Sequence, residues 1–322
     1  MQHRYNSTFK PAWWLPGAHL QTIWPRFFRR YLARPLLQPE RLELPDGDFV
    51  DLLQTEPGDG PLVLIFHGLE GGIHSHYTKP MIAALHRQGW QVVLMHFRGC
   101  SGEQNRLPRH YHSGDTGDIA FLIDTMHRRY PDRHIAAVGY SLGGNALLKY
   151  LGEADRAQRI CAAAAISVPF SLRNGAERLK YGLSRIYQHY LISALQKKVT
   201  DKFADKTAPI RIDHIHTLNT FWDFDEHITA PLHGFSGAEE YYRLSSCKQF
   251  LHKITVPTLL LHAADDPFMT PEAIPTPPEL SARVTLELSR HGGHVGFVGG
   301  KWPWLPIYWL EHRVPEFLKH YL

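Results

Sequence analysis

Apolar and polar positions follow two alternating rhythms along the chain. Short, nearly unbroken apolar runs recur at Leu62–Phe66, Gln91–His96, Ile135–Val138, Ile160–Val168, Pro257–Ala263 and Val284–Leu288. A strand reads this way when both of its faces are covered, as in the centre of a parallel sheet. Between these runs the period lengthens. Tyr77–Gln88 sets Met81, Ile82 and Leu85 on one face and stops at Gly89, and Asp115–Tyr130 begins with Asp115 as a candidate cap and Asp118 in the first turn, where the helix dipole favours an acid. Leu142–Leu151 and Ile307–Tyr321 also read as helices, and Arg41–Leu53 reads as a hairpin about Pro45-Asp46-Gly47-Asp48. Strands alternating with helices predict an α/β fold with a mostly parallel central sheet covered by helices on both faces.

The rhythm stops between Pro169 and about Phe250. Residues 169–250 are rich in Lys, Arg, His and aromatics, and they read as helices and loops inserted between two strands. A cap over an active site is the expectation, with ordinary covering helices as the plainer alternative. Residues 1–38 form a second unusual segment. Trp13, Trp14, Trp24, Phe27, Phe28 and Tyr31 are interleaved there with Arg26, Arg29, Arg30 and Arg34. Prolines at 11, 16, 25 and 35 argue against a long amphipathic helix, so the segment is expected to pack on the body or the cap; contact with a lipid surface is the alternative.

Composition narrows the classes of function. The 322 residues carry a formal net charge of +4 without a block of like charges, so a nucleic-acid partner is not indicated. Cys100, Cys161 and Cys247 are odd in number and widely spaced, which argues against a disulfide framework and fits a reducing compartment. The first ten residues are polar and the apolar runs are too short to span a bilayer. A soluble cytoplasmic protein without stable membrane insertion is expected.

The candidate chemistry centres on Gly139-Tyr140-Ser141-Leu142-Gly143, a G-x-S-x-G motif between a predicted strand and a predicted helix. That context makes Ser141 a candidate nucleophile on a sharp turn whose tightness demands glycine on both flanks. A serine needs a histidine base, and the histidine needs an acid to orient it and stabilise its charged form. Leu259–Ala263 runs into Asp265 and Asp266; Asp266 is preferred because one more residue separates it from the strand, and Asp265 remains the alternative. His294, past one expected helix and the last strand, sits in His291-Gly292-Gly293-His294 and is the expected base, with His291 as the alternative. The loop after Leu62–Phe66 supplies the second half of an oxyanion hole, so the backbone N–H groups of Leu69 and Leu142 are the expected donors. His67 has no second ligand at metal spacing, and Cys100 reads as a small buried residue. No metal and no cofactor is expected.

Several longer stretches carry a resemblance: His19-Leu20-Gln21-Thr22, Arg41 through Phe49, His67-Gly68-Leu69-Glu70-Gly71, His96 through Gly102, and Tyr111-His112-Ser113-Gly114, together with the motifs at Ser141, Asp266 and His294. With these the chain resembles the YheT-like esterases of the α/β-hydrolase superfamily (AB hydrolase 4 family), which are related to larger membrane-associated lipases of animals and fungi. The resemblance implies one α/β-hydrolase domain over residues 1–322 and hydrolysis of a small-molecule or lipid-like carboxylic ester by Ser141, Asp266 and His294 without a cofactor. Thioesterase, lipase or acyltransferase chemistry would use the same residues, and a non-catalytic binding protein is the rival from another class.

Overall fold

A computed structural model describes residues 6–29, 35–153 and 159–322. Arg30, Tyr31 and Arg34 of the aromatic and basic segment lie outside them. After helix α1 (Ala18–Phe28), the chain forms the hairpin β1 (Gln38–Glu43) and β2 (Phe49–Gln54), then β3 (Leu62–Phe66), α2 (Thr78–His86), β4 (Gln91–Met95), α3 (Gly117–Arg129), β5 (Ile135–Tyr140), α4 (Leu142–Glu153) and β6 (Ala162–Ile166). Helices α5 (Leu172–Arg178), α6 (Ser184–Lys202), α7 (Phe221–Phe224), α8 (Ala230–Leu232) and α9 (Ala238–Ser245) precede β7 (Thr258–Ala263) and β8 (Val284–Ser289). A small hairpin, β9 (Val298–Trp302) with β10 (Leu305–Tyr308), leads into α10 (Leu310–Leu318).

Eight strands form one sheet in the order β1-β2-β4-β3-β5-β6-β7-β8. β2 runs antiparallel to β1 and β4, and β3 to β8 are all parallel. The five strands from β3 to β7 that make its centre are buried along their whole length, as their unbroken apolar runs require. The sheet therefore has two cores. One packs beneath α3 and α4 around Leu64, Phe66 and Leu147, and the other beneath α2 and α10 around Ile65, Met81 and Leu318.

Three local expectations fail, each for a physical reason. Asp115 does not cap α3, which starts at Gly117 behind Thr116 without a side-chain cap; the Asp115 carboxylate is held by Arg109 at 2.6 Å instead. No α-helix separates β7 from β8. Prolines 271, 275, 277 and 278 leave room only for the 3-10 turns Pro271–Ala273 and Pro277–Glu279. The last helix begins at Leu310 rather than Ile307, because Ile307 and Tyr308 pair with Gly299 and Val298. Residues 18–28, in contrast, are helical despite Pro25. Tertiary bonds hold α1 in place: the Gln21 side-chain amide donates to the Val298 carbonyl at 3.0 Å and accepts from the Val298 amide at 2.8 Å.

Between β6 and β7 the chain leaves the sheet and builds two small apolar clusters of its own, one around Ile192 and Phe224, the other around Ala230 and Tyr241. Asn145 at the start of α4 ties the return to the body. It donates to the carbonyls of Ser113 and Ser245 at 2.8 Å each, and accepts from the Cys247 amide at 2.9 Å. Among the described residues no helix is long and apolar enough to cross a membrane.

Candidate active site

The turn from β5 into α4 is tight enough to force Ser141 into the left-handed region, at φ 49°. This conformation costs a non-glycine residue about 1–3 kcal/mol and persists only where the surroundings impose it. Here the Ser141 amide donates to the Ile166 carbonyl at 2.8 Å. A Cβ on Gly143 would lie 2.4 Å from the His67 carbonyl oxygen, and one on Gly139 would lie 2.6 Å from the Gly144 Cα. Both glycines of the motif are thus required by close backbone approach, not by flexibility.

Ser141, Asp266 and His294 come together at the carboxyl ends of β5, β7 and β8. His294 Nδ1 lies 2.8 Å from Asp266 Oδ2, and its Nε2 lies 3.0 Å from Ser141 Oγ. An ionised carboxylate can only accept, so the Nδ1 proton is committed to Asp266 and Nε2 is left to accept from the serine hydroxyl. Asp266 and His294 are both buried. Asp265 and His291, the two alternatives, form a separate pair at 3.2 Å, with His291 exposed. Asp265 also accepts from the Gly293 amide at 3.0 Å, steadying the loop that carries His294.

Further contacts orient the histidine, and none of them follows from a motif. Thr22 on α1 accepts from the His294 amide at 2.9 Å. Phe268 stacks on the imidazole, its own ring covered by Tyr187 from α6. Phe268 also donates its amide to Asp266 Oδ1 at 2.9 Å. Its nearness in sequence to Asp266 is the one signal that could have pointed to it.

The loop after β3 is equally constrained. Tyr77 OH accepts from the Gly68 amide and Tyr111 OH accepts from the Glu70 amide, each at 2.8 Å, so the peptide of Leu69 is fixed between two anchored neighbours. Glu70 in turn receives Lys198 from α6 at 2.7 Å and the Tyr111 hydroxyl at 2.8 Å. Lys198 Nζ also stands 3.0 Å from Cys100 Sγ, and burial pushes that thiol up to about 11, far from a nucleophile's range. Both ring nitrogens of His67 are engaged, Nδ1 with the Gly68 carbonyl at 2.7 Å and Nε2 with the Phe97 amide at 3.1 Å. Burial pushes this imidazole down to about 3, which keeps it neutral.

A cavity opens beside Ser141. Leu69, Leu142 and His294 line it from the body, and Leu172, Leu179, Leu191 and Phe221 from residues 169–250. Its polar end is made by Asp225, Tyr242, Tyr241 and Ser113. Asp225 accepts from Thr229 Oγ1 at 2.6 Å and from Tyr242 OH at 2.7 Å; burial nonetheless pushes its carboxyl up to about 6. Among the aromatics of this stretch, Phe221, Tyr241 and Tyr242 line the cavity, whereas Tyr181 and Tyr190 are exposed on the outer surface.

The chain as a whole has counterparts among known proteins. The family model described as alpha/beta hydrolase fold matches residues 61–301. The chain belongs to the α/β-hydrolase family. It is 43% identical to the Escherichia coli K12 protein named "Putative esterase YheT" over 98% of this chain and 94% of that one. It is 31% identical to human Phospholipase ABHD3, covering 92% of this chain and 75% of the human protein. Among solved structures the α/β-hydrolase fold is shared with the Pyrococcus furiosus esterase Pf2001, at a TM-score of 0.59 and 18% identity over 99% of both chains.

Proposed function

We propose that this α/β-hydrolase is a serine esterase that cleaves carboxylic esters through an acyl-enzyme intermediate. The observation that carries the reading is the unbroken hydrogen-bonded line Asp266–His294–Ser141 at the edge of an apolar cavity. Ser141 Oγ attacks the ester carbonyl carbon while His294 Nε2 takes its proton. The carbonyl oxygen becomes an oxyanion and accepts from the Leu69 and Leu142 amides, whose worth lies in being fixed before the charge develops. The C–O bond breaks, His294 returns the proton to the departing alcohol, and the acyl group stays on Ser141. Water, deprotonated by the same imidazole, then releases the acid and restores the serine. Asp266 holds the tautomer and balances the imidazolium.

Residues 169–250 act as the cap. They supply the apolar wall for an acyl chain, and the Asp225 end of the cavity faces the polar part of the ligand. Relatives named Phospholipase ABHD3 and Monoacylglycerol lipase ABHD2 favour glycerolipid-type esters as the substrate class. The test is Ser141→Ala assayed on p-nitrophenyl esters of graded chain length, with fluorophosphonate labelling in parallel. A loss of at least ~10³-fold with no labelling is expected; hydrolysis retained by the variant overturns the reading. The triad needs no metal, so hydrolysis should survive EDTA, and loss restored by a divalent ion would contradict the mechanism.

A further inference from the structure

Helix α1 is packed inside out. Its buried side carries Gln21 and Pro25 with Thr22 half-buried, whereas Leu20, Ile23, Phe27 and Phe28 are exposed. A surface helix of a soluble protein turns its apolar stripe inward; here Gln21, Thr22 and Pro25 face the body with the half-buried Trp24, while Leu20, Ile23, Phe27 and Phe28 face out. Trp13, just before the helix, is 71% exposed.

Two neighbouring elements extend this face. The start of α6 and the loop before it expose Tyr181, Leu183, Ile186 and Tyr190. The β9–β10 hairpin exposes Trp302, Trp304, Leu305 and Ile307, with the two indoles stacked on each other. Direct contacts join the three pieces. Arg26 donates to Tyr190 OH at 2.8 Å, and the indole N–H groups of Trp13 and Trp14 donate to the carbonyls of Lys301 and Gly300 at 2.9 and 3.1 Å. Thirteen of the sixteen exposed large hydrophobic residues among those described lie in these three elements. Exposed apolar residues scattered singly are ordinary; a continuous group marks an interaction surface.

The charge of the surface says what it meets. Segments 10–29, 178–190 and 299–309 contain Lys10, Arg26, Arg29, Arg178, Lys180, Arg185 and Lys301, and no Asp or Glu. Arg29 is buried against Glu311 at 2.7 Å and Lys180 pairs with Glu177 at 2.7 Å, which leaves Lys10, Arg26, Arg178, Arg185 and Lys301 as the cations of this face. Tryptophan, tyrosine and phenylalanine interleaved with such cations suit the boundary between phosphate headgroups and acyl chains: the rings enter the boundary and the long basic side chains reach the phosphates. We infer that this face docks on an anionic phospholipid bilayer surface as a peripheral, non-spanning contact. The inference is independent of the catalytic reading, because none of the residues that carry it touches Ser141.

Vesicle sedimentation tests it. The full chain should pellet with phosphatidylglycerol vesicles, pellet less with phosphatidylcholine, and detach as salt is raised. Its tryptophan emission should move to shorter wavelength on binding. Phe27→Ser with Trp304→Ser should weaken vesicle partition by at least about tenfold, while turnover of a water-soluble short-chain ester stays unchanged and reports an intact fold. Ser141→Ala should pellet like the parent, so failure of the catalytic reading would leave this result standing. The inference is overturned if the parent does not pellet with either vesicle, or if the double variant pellets equally well. It is also overturned if light scattering finds a dimer that the double variant abolishes, which would make a second copy the occupant.

Discussion

The ring of Phe268 lies flat against the imidazole of His294, with 3.9 Å between centroids and 16° between planes. The same residue donates its amide to Asp266, so one position holds both Asp266 and His294. Phe268→Ala removes the stacking surface and leaves the imidazole free to turn. It should lower kcat about tenfold to a hundredfold with a smaller change in KM, because misorientation of the base is felt mainly in the transition state. Phe268→Tyr should keep most of the activity. Steady-state kinetics on a short-chain ester decides; equal loss in both variants would mean that the ring is not what orients His294.

Asp265 and Asp266 are adjacent yet serve different partners. Asp266→Asn should reduce kcat by about 10³–10⁴-fold, since the amide favours the wrong tautomer of His294. Asp265→Asn should cost less than about tenfold, because it loses only part of the bracing at Gly293 and His291. His294→Ala should abolish hydrolysis, and His291→Ala should leave most of it. A reversal of either pair would move the acid or the base to its neighbour.

The raised carboxyl of Asp225 predicts a pH signature in stability. Its ordinary value is 3.8 and burial lifts it to about 6 in the folded chain. Between these values the native state holds a proton that the unfolded state has released, so this group's contribution to stability falls as pH rises from about 4 to about 6 and is constant above. Asp225→Asn removes the charge and should gain on the parent over that window, by up to about 3 kcal/mol at neutral pH. Urea midpoints at pH 4.5, 6 and 8 give the check. A gap that does not widen with pH would show that Asp225 is not held protonated by burial.

The lining of the cavity separates residues that should set chain-length preference from those that should not. Phe221→Ala enlarges the apolar wall beside Ser141 and should raise the ratio of long-chain to short-chain activity severalfold. Tyr181→Ala, at a site 65% exposed on the outer surface, should leave that ratio unaltered on soluble esters. If Phe221→Ala lowered every ester equally, the acyl group would bind elsewhere.

The sheet and the Ser141 turn were legible in the sequence because both are locally encoded. Five buried strands need unbroken apolar runs, and a turn too tight for a Cβ needs glycine on each side of the serine. Asp266 and His294 could be singled out because each follows a recognisable strand. Phe268, Thr22, Lys198 and Glu70 could not, since what they do depends on contacts across the chain that no local pattern records. The same blindness explains the β9–β10 hairpin. Its Leu305 and Ile307 look like the start of an apolar helix until the pairing with Trp302 and Gly299 is known. In α1 the apolar pattern was visible and its direction was not.

The bonds from Gln21 to Val298 and from Thr22 to His294 span 277 and 272 residues. Loops that long close late, after the nearer contacts have formed. During synthesis the serine turn and its sheet neighbours leave the ribosome well before the loop that bears the histidine, and that loop has no seat until it meets a helix made near the beginning. On the proposed reading a growing chain would therefore stay inert towards esters however well its middle has folded, until Gln21 and Thr22 meet Val298 and His294.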